Sequence, residues 1–244
     1  MSGFNPEGWN ENLKRCNYTL TELNEAKTLK NVLESQVTMC DAGHNLIVDL
    51  GCMKGIIPRA EGAIGISDGS TRDIALITRV GKSVCFTVEG IETDSYGVPF
   101  AMLSRRNAQL LCREHIYNYH RPGDVIKAKI THLESFGAFC DIGCGNIALL
   151  PIDSISVSRI SHPKDRFITG ENIRAVIKNI APDGKITLSH KELLKYSVPG
   201  LFSGYILLNF ISVEILRKLF AYILLFDKEK YHTNQHPYKQ HIIR

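Results

Sequence analysis

The sequence predicts a mainly β protein built from two small five-stranded barrels in tandem. One observation behind this fold class is an internal echo: Val48-Asp49-Leu50-Gly51-Cys52 resembles Cys140-Asp141-Ile142-Gly143-Cys144, roughly 90 residues later. The other is a rhythm of short alternating segments separated by Gly- and Pro-containing turns, which is typical of small closed barrels.

A further pair of landmarks repeats in the same order. Ala101-Met102-Leu103-Ser104 corresponds to Ile186-Thr187-Leu188-Ser189, again at a spacing of roughly 85 residues. Two landmarks in one order favour duplication over chance, and the period is that of a whole small domain.

The second copy gives the clearer strand pattern. In its first strand Ile126, Ala128 and Ile130 alternate with Lys127 and Lys129, as expected for a strand with one buried face. The predicted strands of this copy cover residues 125–130, 138–142, 147–152, 173–180 and 185–189. Five short strands in about 70 residues fit the size of an OB-fold barrel.

The first copy follows the same plan with more divergence. Its predicted strands cover residues 45–50, 55–58, 83–88 and 98–104, with a turn-rich insert at 60–73. A helix-capable stretch at 108–119 ends before Arg121-Pro122-Gly123 and is predicted to link the two copies. The predicted domains are an N-terminal extension (1–27), a divergent first barrel (28–107), a short helical linker (108–120), the second barrel (121–195) and an atypical apolar tail (196–244).

The two ends differ from the repeats. The N-terminal extension is low in apolar residues and is predicted to be peripheral or loosely ordered. The C-terminal tail is predicted to be helical or poorly ordered. Its apolar stretch carries Glu214, Arg217 and Lys218 near the middle, which argues against a membrane span.

Composition restricts the function classes. A formal net charge of +4 permits a nucleic-acid partner without requiring one, and the basic excess lies in residues 121–195 rather than 28–107. Seven cysteines without a secretory signal indicate reduced thiols and a cytoplasmic location.

The segment Phe136-Gly137-Ala138-Phe139 is the strongest functional signal. Exposed rings offer flat faces on which the bases of a single strand can stack, and a glycine between them would let bases approach the backbone. The alternative is a pair of core aromatics. The sequence favours a binding surface, in which Lys127, Lys129, Lys178 and Lys185 would supply phosphate contacts.

The sequence shows no catalytic constellation. Cys140 and Cys144, with His132 or His162, have poor spacing for a zinc site, and no phosphate-binding glycine loop or nucleophile elbow is present. We therefore expect a non-enzyme with no metal, no cofactor and no small-molecule substrate.

The second copy resembles the S1 RNA-binding domain of the bacterial ribosomal protein S1 family. The resemblance rests on Pro122-Gly123-Asp124-Val125-Ile126, on the Phe136–Gly143 run, on Ala148-Leu149-Leu150-Pro151 and on Gly184-Lys185-Ile186-Thr187-Leu188-Ser189. Residues 28–107 resemble a second, more divergent copy of this domain, so the chain as a whole resembles a shortened, two-repeat member of the family.

The resemblance implies OB-fold barrels that bind single-stranded RNA, chiefly mRNA on the small ribosomal subunit. It places Phe136 and Phe139 as stacking aromatics and Lys185 as a basic residue beside the last strand. Pro151 stands where many such domains have histidine, and Ala181 stands near the place of an aspartate. The first copy lacks the aromatic element.

Two other functions stay open from the sequence. The chain could be the RNA-binding part of an RNA-degrading assembly similar to polynucleotide phosphorylase, with catalysis in a partner subunit. It could also be an interaction protein tethered to a membrane by its tail, although the three charges make a membrane partner the less favoured reading.

Overall fold

Two closed five-stranded barrels form the described part of the molecule. The structure is a computed structural model that describes residues 4–9 and 17–195. The strands are β1 (Leu33–Cys40), β2 (Leu46–Asp49), β3 (Lys54–Ile57), β4 (Ser83–Thr93) and β5 (Pro99–Ser104) in the first barrel, and β6 (Val125–Glu134), β7 (Gly137–Asp141), β8 (Ile147–Pro151), β9 (Asn172–Ile180) and β10 (Ile186–Ser189) in the second.

The two barrels share one topology. The strand orders are β1-β2-β3-β5-β4 and β6-β7-β8-β10-β9, each closed on itself, with a single parallel pairing at β3–β5 and at β8–β10. The predicted fold class and the repeat are therefore confirmed.

The helices are α1 (Leu20–Leu29), α2 (Ile74–Ile77), α3 (Arg105–Tyr119) and α4 (Lys191–Lys195). Helix α3 is the predicted linker, and it begins three residues earlier than expected because the side chain of Ser104 accepts a hydrogen bond from the Asn107 N–H as an N-cap. None of the described helices is long and apolar enough to cross a membrane. The tail predicted at 196–244 lies outside the described residues.

Each barrel has its own core. In the second barrel the inward residues of every strand are buried, and Ala128, Cys140 and Leu150 are fully so. Ala108, Cys112 and Ile116, spaced four residues apart on α3, join that core, so the helix packs one apolar stripe against the second barrel. Burial of this kind stabilises by about 25 cal/mol per Å² of apolar surface.

The expectation that residues 1–27 are peripheral does not hold for several of the described residues in that range. Leu23 and Ala26 of α1 are buried in the core of the first barrel. Glu7 is buried as well, with 7% of its surface exposed. A buried carboxylate needs hydrogen-bond or charged partners. The contacts of Glu7 lie in both barrels and in the helix between them, as described below.

Candidate nucleic-acid interface

A row of outward-facing side chains crosses four strands of the second barrel. His132 on β6 lies opposite Phe139 on β7, Phe139 lies opposite Leu149 on β8, and Leu149 lies opposite Thr187 on β10. Neighbouring strands are about 4.8 Å apart, so these side chains form a continuous surface. We call this row, together with Phe136, the aromatic face.

Phe136 and Phe139 lie together on this face. Phe136 occupies the turn between β6 and β7 and exposes 55% of its surface, while Phe139 is half-buried on the outside of β7. The ring centroids are 6.0 Å apart and the planes meet at 88°, an edge-to-face pair. Neither ring belongs to the buried core of the barrel, so the structure places both on the outside.

The structural role of Gly137 differs from the one expected from the sequence. It is buried, and a Cβ atom there would lie 2.6 Å from the carbonyl oxygen of Leu150 and 3.0 Å from the Cα of Pro151. The glycine therefore allows β7 to approach β8 closely, and it serves barrel closure rather than the approach of a base.

Two of the four predicted lysines are exposed, and each contacts one neighbouring side chain of the second barrel. Lys185 is at the tip of the β9–β10 hairpin, two residues before Thr187, and its exposed ammonium group is 2.7 Å from Asp183. Lys178 on β9 is exposed and its Nζ donates to Ser154 Oγ at 3.2 Å. An exposed ion pair such as Lys185–Asp183 is screened by solvent and contributes little to stability, so it can open for a phosphate.

The structure does not place Lys127 and Lys129 directly beside the rings. The Nζ of Lys127 donates to Asn5 Oδ1 at 3.0 Å and lies 5.4 Å from the centre of the Trp9 ring. The Nζ of Lys129 donates to the carbonyl oxygen of Gly8 at 2.7 Å. Both lysines are thus held by the N-terminal segment (residues 4–9), farther along β6.

Some residues of the face were not predicted from the sequence. His132 is exposed beside Phe139 and its Nε2 lies 2.7 Å from Glu134 Oε1. Ile147 on β8 is 52% exposed next to the row. The alternation of β8 could have identified Ile147 and Leu149 as outward, since they flank the buried Ala148.

A buried polar cluster lies where the N-terminal segment meets both barrels. The Glu7 carboxylate accepts from Nε and Nη2 of Arg105 at 2.7 and 2.9 Å, and from the Cys85 N–H at 3.3 Å. The Glu7 N–H donates to Asp141 Oδ2 at 2.7 Å. The cluster therefore connects β4, α3 and β7 through one residue.

Burial and the neighbouring Glu7 charge raise the pKa of Asp141 to about 7. The backbone N–H groups of Glu7 and Gly143, which donate to the Asp141 carboxylate, lower the pKa and so act in the opposite direction. Asp141 thus closes the turn after β7, a structural role that agrees with its position at a strand end.

The described residues contain no group of three His, Cys, Asp or Glu side chains placed to hold a metal ion. Cys140 points into the barrel, and burial raises the pKa of its thiol to about 12. Such a thiol is not a nucleophile at neutral pH.

The first barrel carries a different surface at the equivalent position. Met39 and Ile47 pair there as His132 and Phe139 pair in the second barrel. The turn that corresponds to Phe136 is the polar stretch Asp41-Ala42-Gly43-His44-Asn45. The face equivalent to the row is therefore aliphatic and lacks a stacking ring.

Comparison with known families matches residues 119–191 to the S1 RNA binding domain. The chain contains an S1 RNA-binding domain. The matched residues cover all five strands of the second barrel, and the match confirms the resemblance found in the sequence.

The chain is also similar to the small ribosomal subunit protein bS1 of two staphylococci. It is 30% identical to the Staphylococcus epidermidis protein over 168 residues, which cover 67% of this chain and 40% of that protein. It is 28% identical to the Staphylococcus aureus protein over 177 residues, which cover 70% of this chain and 42% of that protein. The chain thus spans about two fifths of the length of these curated relatives, and the similarity extends beyond the S1 domain itself.

Among solved structures, GSP13 from Bacillus subtilis resembles part of the chain. The TM-score is 0.30 at 20% identity, and the match covers 34% of this chain and 64% of GSP13.

Proposed function

We propose that the second barrel binds single-stranded RNA on the aromatic face. The observation that carries the proposal is the edge-to-face pair Phe136–Phe139, which lies on the outside of an S1 RNA-binding domain. Every base has a flat π-face, so stacking on these rings binds a strand without reading its sequence. Lys185 and Lys178 would add phosphate contacts that weaken as salt rises.

The affinity of the double variant Phe136→Ala/Phe139→Ala for an unstructured RNA tests this proposal. Each stacked base contributes about 1–3 kcal/mol, so losing both rings weakens binding at least tenfold. The measurement is fluorescence anisotropy with labelled oligouridine, and raising salt leaves most of the aromatic contribution in place.

Two controls separate stacking from damage to the fold. Tyr96→Ala removes a ring that is 89% exposed at the β4–β5 turn of the first barrel and leaves RNA binding unchanged. Replacing both phenylalanines by tyrosine keeps the flat faces and keeps the affinity. Equal affinity of the wild type and the alanine double variant would contradict the proposal that bases stack on this face.

The proposal extends to the RNA and to its setting. We infer that the strand is mRNA held at the small ribosomal subunit in the cytoplasm, and that the chain binds without catalysis. The support is similarity to two proteins named as small ribosomal subunit proteins, over two thirds of this chain.

Co-sedimentation with small ribosomal subunits tests this part. The chain pellets with the subunits, and mRNA on the subunit increases the bound fraction in the wild type but not in the alanine double variant. A chain that stays in the supernatant with and without mRNA would contradict the ribosomal setting while leaving RNA binding intact.

A further inference from the structure

A cleft between the two barrels opens next to the aromatic face. It has a volume of about 450 Å³, and its walls include Gln36, Arg79 and Lys82 of the first barrel and Lys129 and Thr131 of the second. The Thr131 hydroxyl donates to the backbone carbonyl oxygen of Phe139 at 3.0 Å, so one wall of the cleft contacts the strand that carries a residue of the aromatic face. Lys129 is opposite Asp141, which is two residues from Phe139, or about 7 Å along β7.

The cations of the cleft are more available than its carboxylates. Glu7 is held by two nitrogens of Arg105 and Asp141 accepts three backbone N–H groups, so both acids are buried and saturated. Arg79 is 3.4 Å from Glu7 through one nitrogen only, and 28% of its side chain is exposed.

Of the three cations Arg79, Lys82 and Lys129 that line the cleft, Lys82 is the most exposed. It is exposed on the turn before β4, and its ammonium group has no hydrogen-bond or ion-pair partner among residues 4–9 and 17–195. Glu34 accepts a hydrogen bond from the Gly8 N–H and interacts with Lys129 rather than Lys82, and burial raises the pKa of Glu34. The cleft therefore presents positive charge from the exposed Lys82 and the partly exposed Arg79, together with hydrogen-bonding groups along its walls.

We propose that this inter-barrel cleft is a phosphate-binding site for the continuation of an RNA strand whose bases stack on Phe136 and Phe139. The proposal rests on the proposed function, since the same strand occupies both places. It gives the first barrel, which lacks stacking rings, a role in binding the sugar-phosphate backbone through Lys82 and Arg79. A backbone contact of this kind adds affinity without base preference.

The cleft and the face can be tested separately with two RNA lengths. A tetranucleotide of uridine is long enough for the two rings, and a dodecanucleotide also reaches the cleft. A longer RNA offers more equivalent positions for the same site, which by itself raises the apparent affinity. We expect the wild type to bind the dodecanucleotide more tightly than this statistical effect explains. Lys82→Glu weakens dodecanucleotide binding about fivefold or more and leaves tetranucleotide binding unchanged.

The matched control is Lys54→Glu. Lys54 is an exposed lysine at the start of β3, and β3 is two strands away from both β1 and β4 around the closed barrel, on the side opposite the cleft. This variant makes the same charge change in the same barrel and retains the wild-type affinity for both lengths. Lys82→Ala adds no negative charge. It makes the negative slope of log affinity against log salt shallower by about 0.7, the value for one lost phosphate contact on a single strand.

The outcomes distinguish the two proposals. Normal tetranucleotide binding with equal effects of Lys82→Glu and Lys54→Glu on the dodecanucleotide overturns the cleft site and leaves the aromatic face standing. Loss of affinity at Lys82 but no dependence on Phe136 and Phe139 at either length supports the cleft as an anion site and overturns the stacking face. Absence of binding to both RNAs overturns both.

Discussion

Phe136 and Asp141 belong to the same short stretch of chain and have opposite roles. The ring of Phe136 is more than half exposed, so its removal changes what the surface can bind and disturbs little packing. Asp141 is buried and accepts hydrogen bonds from Glu7, Gly143 and Gly145, so its carboxylate holds the chain in place. At the scale of single residues, binding and architecture are therefore assigned to different side chains.

Asp141 gives the fold a specific pH dependence. Its pKa is about 7 in the folded chain, because of burial and then the Glu7 charge, and about 3.9 in an unfolded chain. Between these values the folded state binds the extra proton, so the contribution of this group to stability is fully present below about pH 4 and is lost as pH rises through 7.

We expect the free energy of unfolding of the wild type to fall, relative to Asp141→Asn, by at most about 1.4 kcal/mol per pH unit across that window. Urea unfolding of both proteins at a series of pH values provides the measurement. Asp153→Asn, at an exposed aspartate, is the control and tracks the wild type. Parallel profiles for the wild type and Asp141→Asn would show that Asp141 titrates normally.

At the scale of elements, the sequence predicted every strand of the second barrel, because buried and exposed residues alternate at the start of β6 and Gly- or Pro-containing turns separate the later strands. It predicted β6 too short, since the pairing register shifts between Ile130 and His132 and the bulge breaks the alternation. The missed part of β6 contains His132, which explains why that residue was absent from the predicted site.

Strand β1 was missed for a related reason. One of its inward positions is Ser35, which is buried and whose hydroxyl donates to the Asp49 carbonyl oxygen at 2.6 Å. A polar residue on the buried face hides the period of two. Helix α1 did carry a readable signal, the capping box formed by Thr19 and Glu22.

The position of the N-terminal segment could not be read from the sequence. Glu7 and Arg105 are 98 residues apart, and no local pattern announces an ion pair at that distance. The consequence for the site is direct, because the segment also holds Lys127 and Lys129. From the sequence, all four lysines had the same predicted role beside the rings. In the structure Lys127 and Lys129 contact the N-terminal segment, whereas Lys178 and Lys185 contact Ser154 and Asp183 of the second barrel.

At the scale of the whole molecule, duplication produced two barrels with one topology and different outer faces. The second barrel presents Phe139 where the first presents Ile47, and α3 with the N-terminal segment joins the two units. Under our proposal, the cleft between the barrels lets the divergent barrel assist RNA binding without stacking rings of its own.

The central claim is that single-stranded RNA contacts the aromatic face of the second barrel. Photo-crosslinking of 4-thiouridine-containing RNA to the full chain, followed by mass spectrometry of the crosslinked peptides, tests it most directly. We expect the principal crosslinks at Phe136 and Phe139, lost on competition with unlabelled oligouridine. Crosslinks confined to the opposite side of the barrel or to the aliphatic face around Met39 and Ile47 would contradict the claim.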